Sequence, residues 1–179
     1  MDKIVREWIS EILIQHELLL KIALRQRAKF EGWLKFELAG IAEKYGAEDV
    51  EVEASNNFGT GLMRSDIAFK FNDIRYDVEL KTPNSNWRMP GVYNKTRPIT
   101  KNVAGIVHDG EKLRTCSGQG IVAFVLFPIP PKDNRWIEYL NRISTELEVS
   151  INEFDNCKRL SMTLGNDYQA DLVICAFQV

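Results

Sequence analysis

Cysteine is scarce in this 179-residue sequence: Cys116, Cys157 and Cys175 are odd in number and far apart. None of them belongs to a CxxC pair, which argues against a zinc ribbon, an iron–sulfur cluster or a disulfide scaffold. Cysteines used in this way are typical of a reducing compartment, so we expect a cytoplasmic protein.

Long hydrophobic runs are also missing. The most apolar stretch near the N-terminus, residues 12–24, is interrupted by His16, Glu17 and Lys21, so it is too short and too charged to span a bilayer. The first residues lack the pattern of a signal peptide. Hydrophobic residues make up 45% and charged residues 27% of the chain, as in ordinary globular proteins. We expect one domain, with a core at 25–127, an N-terminal helix at 1–24 and a C-terminal extension at 128–179.

Acidic residues are absent from one long segment, residues 80–108. The segment carries five positive charges, which leaves the remainder of the chain at −7 for a total net charge of −2. The total does not indicate a nucleic-acid partner, because such domains are often strongly basic. The uneven distribution is the informative feature. The five cations are Lys81, Arg88, Lys95, Arg97 and Lys101.

Hydrophobic periodicity predicts an alternation of helices and strands. The expected order is helix, three strands, helix and strand, followed by a further helix and a closing hairpin. The predicted helices cover 3–23 (one helix or two), 25–45, a segment from about 100, and 136–147. The predicted strands are 49–54, a hairpin over 64–81, a buried strand at 121–127, and a hairpin over 159–164 and 170–178. Loops are expected at 56–61 and 83–98.

The hairpin over 64–81 has a register that the sequence itself indicates. Asn72 and Asp73 are residue types that tolerate the positive φ of a tight two-residue turn. With that turn, paired positions sum to 145 and one face becomes entirely apolar or aromatic. A slip of one residue would move that set to the wrong face. The apolar pairs are Ile67 with Val78, Phe69 with Tyr76, and Phe71 with Ile74.

The other face of the hairpin places Asp66 opposite Glu79, with Lys81 two residues further on and pointing the same way. Like charges that face each other across two strands repel, and a bound cation relieves the repulsion. Carboxylate oxygens suit Mg²⁺ or Mn²⁺, and the backbone carbonyl of Leu80 is a further candidate ligand. Lys81 would orient a nucleophile or stabilise charge that develops on a phosphate.

A structural explanation of the same residues stays open. Antiparallel sheets often keep one solvated face, where Asp, Glu and Lys have no special role. A Glu-x-Lys tripeptide alone also occurs often by chance. The combination of Asp66 in register, Glu79-Leu80-Lys81 at a strand end and the order of elements favours a catalytic site.

With this combination the sequence resembles the PD-(D/E)xK nuclease superfamily, whose core is helix, three strands, helix and strand. The motif residues would be Ser65-Asp66 and Glu79-Leu80-Lys81, with twelve residues between Asp66 and Glu79. Ser65 stands where the motif name has Pro. The resemblance covers residues 25–127 and implies a restriction-endonuclease-like three-layer α/β/α sandwich with a central mixed sheet, to which the N-terminal helix and the C-terminal helix and hairpin are added.

Many members of this superfamily carry a helix glutamate that completes the metal site, and two residues are candidates here. With Leu34 as reference and 100° per residue, Glu31 and Glu37 flank the apolar stripe of their helix at about 60° on opposite sides. Glu37 is preferred because it is closer to the strand that follows. The alternative for both is a solvated helix edge.

The segment without acidic residues predicts a nucleic-acid contact beside the acidic site. Its cations would meet phosphates, and its aromatic rings would stack on unpaired bases. An ordinary polar connection is the alternative. The residues expected to bind nucleic acid are Arg88, Lys95, Arg97, Lys101, Trp87 and Tyr93.

The resulting hypothesis is a Mg²⁺- or Mn²⁺-dependent endonuclease that hydrolyses phosphodiester bonds, with DNA as the expected substrate. A catalytically inactive nuclease-fold module that binds nucleic acid or a protein is one alternative, and a small interaction domain with a solvated acidic face is another. A chain of this size needs a second copy, or a larger complex, to cut both strands together. The apolar N-terminal helix is the expected dimer surface.

Overall fold

The computed structural model of the protein describes residues 1–58, 61–94, 99–165 and 167–179. Helices and strands alternate in these ranges in the order that the periodicity predicts, although several bounds differ. The elements are α1 (Asp2–Gln15), α2 (Glu17–Gln26), α3 (Glu31–Lys44), β1 (Glu48–Phe58), β2 (Gly61–Phe71), β3 (Ile74–Lys81), α4 (Ile99–Leu113), β4 (Gln119–Ile129), α5 (Trp136–Leu147), α6 (Glu153–Asn156), β5 (Cys157–Gly165) and β6 (Tyr168–Gln178).

The strands form one six-stranded sheet in the order β1-β2-β3-β4-β6-β5. β3 and β4 are parallel, and the other neighbouring strands are antiparallel. α4 lies between β3 and β4 in the chain, as expected because parallel neighbours need a crossover connection. The fold is therefore mixed α/β with an open, mostly antiparallel sheet.

Alternate residues of β4 enter two different apolar cores. Ile121, Ala123 and Val125 pack with side chains of α1, α2 and α3. Val122 and Phe124 pack with side chains of α4 and α5. Because successive residues of a strand point to opposite faces, the two cores lie on opposite sides of the sheet, each covered by helices.

The β2–β3 hairpin has the predicted register. Ile67 pairs with Val78, and all the observed pairs sum to 145. Asn72 and Asp73 have φ angles of 50° and 62°, the left-handed conformation of a two-residue hairpin turn. The apolar side chains of this hairpin join the core on the α1–α3 side, except that of Ile74 beside the turn, which is 41% exposed. The sorting of apolar and charged residues onto opposite faces is thus confirmed.

The predicted helix over 25–45 begins later than expected, at Glu31. α2 ends at Gln26 because Arg27 adopts the left-handed conformation, with φ of 50°. The buried Arg27 guanidinium donates hydrogen bonds to the backbone carbonyls of Ser85, Trp87 and Tyr93. Arg27, which lies at the break between α2 and α3, therefore holds the loop that follows β3 in place.

Two further expectations are corrected. Residues 56–58 and 61, expected in a loop, extend β1 and β2 instead. The C-terminal hairpin is not an added unit, because β6 pairs with β4 along the central sheet. Most of β6 is buried, so it needs a strand partner and helices on both faces. No helix in the described ranges is long and apolar enough to cross a membrane.

Leu34 of α3 is fully buried in the core, so its substitution tests how α3 is oriented on the sheet. We predict that Leu34→Ala lowers the free energy of unfolding by about 2–5 kcal/mol, because it leaves a cavity beneath α3. Phe36→Ala on the same helix is the control, since Phe36 is 67% exposed and its loss should change stability by less than about 0.5 kcal/mol. Urea unfolding measures both, and equal effects would contradict the orientation of α3.

Candidate active site

The candidate site begins where β2 and β3 stop pairing. Their observed pairs end at Ile67 and Val78, and beyond that point the N–H of Leu80 donates to Oδ2 of Asp66 at 2.8 Å. A side-chain oxygen thus takes the place of a backbone carbonyl. The N–H and C=O of one residue in a strand point the same way, so the carbonyl of Leu80 also faces the Asp66 side.

Asp66 is held on its other oxygen by a lysine of α3. Nζ of Lys35 lies 2.8 Å from Oδ1 of Asp66 and 2.8 Å from Oε1 of Glu53 on β1. Burial raises the pKa of the Asp66 carboxyl, but the hydrogen bonds from Lys35 and from the Leu80 N–H outweigh it and hold the pKa below its usual value. Asp66 is therefore a carboxylate at neutral pH.

Glu79, on the neighbouring strand, is 3% exposed and is paired with Lys112 of α4. Burial raises the pKa of the Glu79 carboxyl to about 7. Lys112 acts in the opposite direction, while the negative charges of Asp66 and Asp109 add to the effect of burial. The two motif carboxyl groups thus have clearly different electrostatic environments.

Lys81 lies at the centre of a group of carboxylates. Its Nζ is 2.8 Å from Oδ2 of Asp109, 3.9 Å from Oε2 of Glu79 and 4.0 Å from Oε1 of Glu31. Burial lowers the pKa of the Lys81 amine, but the carboxylates of Asp109, Glu31 and Asp66 raise it above its usual value. The amine is therefore a fixed positive charge, and its side chain remains 27% exposed.

The structure brings Glu31, and not the preferred Glu37, to this group. Oε2 of Glu31 accepts the N–H of Thr82 at 3.1 Å, directly after Lys81. Glu37 lies on the other flank of α3, where it accepts a hydrogen bond from Trp33 and pairs with His16. The two glutamates are symmetric about the apolar stripe, so only the packing of α3 decides which one faces the motif.

The site was expected to be acidic, and it is in fact mixed. Among the described residues it combines the five carboxylates of Glu31, Glu53, Asp66, Glu79 and Asp109 with the three amines of Lys35, Lys81 and Lys112 and the guanidinium of Arg64. With every group ionised, the cluster carries one negative charge in excess. A bound cation would offset that excess.

Five members of the cluster were not identified from the sequence: Lys35, Glu53, Arg64, Asp109 and Lys112. Lys35 follows Glu31 by four residues, so it lies on the same face of α3. Asp109 and Lys112 are three residues apart on α4, which also places them on one face. Helical spacing relative to the correct glutamate would have found Lys35, but it does not reveal which face of α4 meets β3.

The donors near Asp66 fit a metal ion that keeps part of its water shell. No three His, Cys, Asp or Glu side chains in the described ranges are close enough to form a metal-binding group. The donors are instead two carboxylates, Asp66 and Glu79, and the carbonyl of Leu80. Mg²⁺ commonly binds proteins through one or two carboxylates and retains several waters. A carboxylate offers roughly four lone-pair sites, so the contacts of Asp66 leave room for coordination.

The residues expected to bind nucleic acid differ in how exposed they are. Arg88, Lys101 and Tyr93 are exposed, Tyr93 by 66%. The ring of Trp87 is already stacked on Tyr139, with the centroids 6.1 Å apart, and Arg135 lies 4.8 Å from its centroid. Trp87 is therefore engaged within the protein and is less suited to base stacking than Tyr93. Lys95 and Arg97 lie outside the described residues.

Comparisons with known proteins add little to this description. No protein-family model matches the chain, and no curated protein matches it. One solved structure, "Crystal structure of SSO0001", is similar at 16% identity and a TM-score of 0.29 over 65% of this chain. The chain spans 57% of the length of that protein. A similarity this weak supports no conclusion about the fold or the site.

The role of Lys35 in holding Asp66 is open to a stability test. We predict that Lys35→Met lowers the free energy of unfolding by about 2 kcal/mol, because two carboxylates lose a charged hydrogen-bond donor. Lys44→Met is the matched control on α3, since the ion pair of Lys44 with Glu11 is at the surface and should contribute little. Urea unfolding that shows no difference between the two variants would contradict this role.

Proposed function

We propose that the protein is a metal-dependent nuclease of the PD-(D/E)xK type with a restriction-endonuclease-like core. The observation that carries the proposal is the position of Asp66, whose carboxylate lies between β2 and β3 beside the Glu79-Leu80-Lys81 strand end. The order α3-β1-β2-β3-α4-β4 agrees with the core order of that superfamily. Helices on both faces of a mixed sheet support the three-layer sandwich.

Asp66, Glu79 and the carbonyl of Leu80 would hold Mg²⁺ or Mn²⁺. The metal supplies Lewis acidity and lowers the pKa of a bound water. Asp66 is prepared for this role because Lys35 and the Leu80 N–H fix its orientation. Glu31 assists from α3 by fixing the backbone at Thr82.

Lys81 would stabilise negative charge that develops on the scissile phosphate. Its ammonium group is oriented by Asp109 on one side and by Glu31 and Glu79 at longer distances. A charged donor that is held in place before reaction stabilises a transition state more than a mobile one, because it does not have to reorganise. Asp109 is therefore a positioning residue for Lys81.

The proposed substrate is a nucleic acid, and DNA is the expected one. Arg88 and Lys101 are exposed and belong to the segment without acidic residues, so they would contact phosphates. Tyr93 is an exposed aromatic ring for stacking on an unpaired base. For cleavage of both strands, a second copy would pack against α1 and α2, which expose Ile14, Leu18 and other large apolar side chains.

A second candidate function has its own observation. Lys35 and Lys112 pair with the two motif carboxyl groups, Asp66 and Glu79. If these pairs are permanent, the chain is an inactive nuclease-fold module that binds nucleic acid or a protein. Such a module would bind nucleic acid equally well with and without divalent metal, and it would not cut.

Cleavage separates the two candidates. We predict that the wild type cuts single-stranded, duplex or branched DNA, or RNA, in Mn²⁺ and not in EDTA. Lys81→Ala should abolish cutting, because the charge beside the phosphate is lost. Lys44→Ala, on the outer surface of α3, should cut like the wild type. No cutting by a folded wild type that also shows no metal binding would favour the inactive module.

The two candidate helix glutamates give a further, internal test. We predict that Glu31→Gln lowers the cleavage rate by about 10–100-fold, as is typical for a residue that positions catalytic groups from outside the metal ligands, here Lys81 and the backbone at Thr82. Glu37→Gln should leave the rate unchanged, because Glu37 contacts Trp33 and His16 instead. If the two variants cleave at equal rates at saturating Mn²⁺, Glu31 has no role in the site.

A further inference from the structure

Lys112 and Lys35 both pair with motif carboxyl groups, but they differ in how firmly they are held. Lys35 contacts two carboxylates, Asp66 and Glu53, and its side chain is 11% exposed. Lys112 contacts one carboxylate, Glu79, and its side chain is 24% exposed. Moving Lys112 breaks a single ion pair and takes its ammonium group into solvent, whereas Lys35 would have to leave two partners.

The position of Lys112 conflicts with a metal ion on Glu79. Its ammonium group donates to Oε1 of Glu79, and Glu79 is almost fully buried. A divalent cation that binds the same carboxylate would lie close to the ammonium group and repel it. Glu79 has a fixed backbone position on β3, where it pairs with Val122 of β4, whereas a lysine side chain is long and flexible. Lys112 is therefore the partner that moves.

We propose that Lys112 is an exchangeable counter-ion of Glu79: it pairs with the carboxylate while the site is free of metal, and a divalent cation displaces it. The inference rests on the proposed function, because it requires Glu79 to be a metal ligand. Its consequence is that Lys112 lowers the affinity of the site for free metal, since every binding event must first break the Lys112–Glu79 pair.

Removing the side chain of Lys112 should therefore tighten metal binding. For Lys112→Met we predict Mn²⁺ binding that is about tenfold tighter than in the wild type, which is about 1.4 kcal/mol. Lys112→Arg keeps the charge and should bind Mn²⁺ no more tightly than the wild type. Lys101→Met removes an exposed charge from the same helix and controls for the overall change in charge; it should alter the affinity by less than about twofold, because exposed charges are screened.

Thermal unfolding provides the second readout. Without metal, Lys112→Met removes the nearer of the two amines beside the buried Glu79, so we expect its melting temperature to fall below that of the wild type. Saturating Mn²⁺ should restore most of that loss, because the metal replaces the missing counter-ion and binds only the folded state. A purely structural role for Lys112 predicts the same loss with and without Mn²⁺. If the Met variant does not fold, Lys112→Gln, which keeps a neutral donor for Glu79, takes its place.

Isothermal titration of each metal-free variant with Mn²⁺ alone, at fixed ionic strength, decides the matter. Tighter binding by Lys112→Met, with Lys112→Arg and Lys101→Met near the wild type, is the expected result. If the wild type binds Mn²⁺ and Lys112→Met binds it equally or more weakly, the exchange of Lys112 is overturned and the proposed metal site stands. If neither binds Mn²⁺, the exchange and the proposed metal site fall together.

Discussion

The hydrogen bond from the Leu80 N–H to the Asp66 carboxylate is the interaction on which the rest of the site depends. It replaces a backbone pair of the β2–β3 ladder with a side-chain acceptor, and the observed strand pairs stop just before it, at Ile67 and Val78. The Asp66 carboxylate lies beyond the last strand pair, where Lys35 of α3 contacts it. As a result, Lys35 of α3 and the strand end that carries Glu79 and Lys81 meet at one point.

Charge balance is the second constraint. A buried carboxylate is costly unless it is paired, and Glu79 is buried beside further negative charges. The protein compensates with three lysines that come from three different elements, Lys35 from α3, Lys81 from β3 and Lys112 from α4. Each lysine is bound to at least one carboxylate, and the carboxylates still outnumber them. The cluster is therefore stabilised by its own ion pairs when no metal is bound.

The sequence was sufficient to predict the hairpin and its register, because a two-residue turn and a period of two leave little freedom. It was also sufficient to place Asp66, Glu79 and Lys81 on one face. It could not decide between Glu31 and Glu37, because their positions are equivalent with respect to the apolar stripe of α3. Lys35 and Lys112 were missed for a related reason: long-range packing, and not local pattern, determines which helix faces meet the strand ends. The break at Arg27 and the pairing of β6 with β4 also depend on tertiary contacts.

The central claim is that Asp66, Glu79 and the Leu80 carbonyl together form a site for a divalent cation. Crystals grown in Mn²⁺ test it directly, because the anomalous scattering of manganese locates the ion without reference to any assumed chemistry. The account predicts a peak between β2 and β3, about 2.1 Å from oxygen atoms of Asp66, Glu79 and Leu80. A peak elsewhere, or no peak in Mn²⁺ with Asp66 and Glu79 still paired to Lys35 and Lys112, would contradict it.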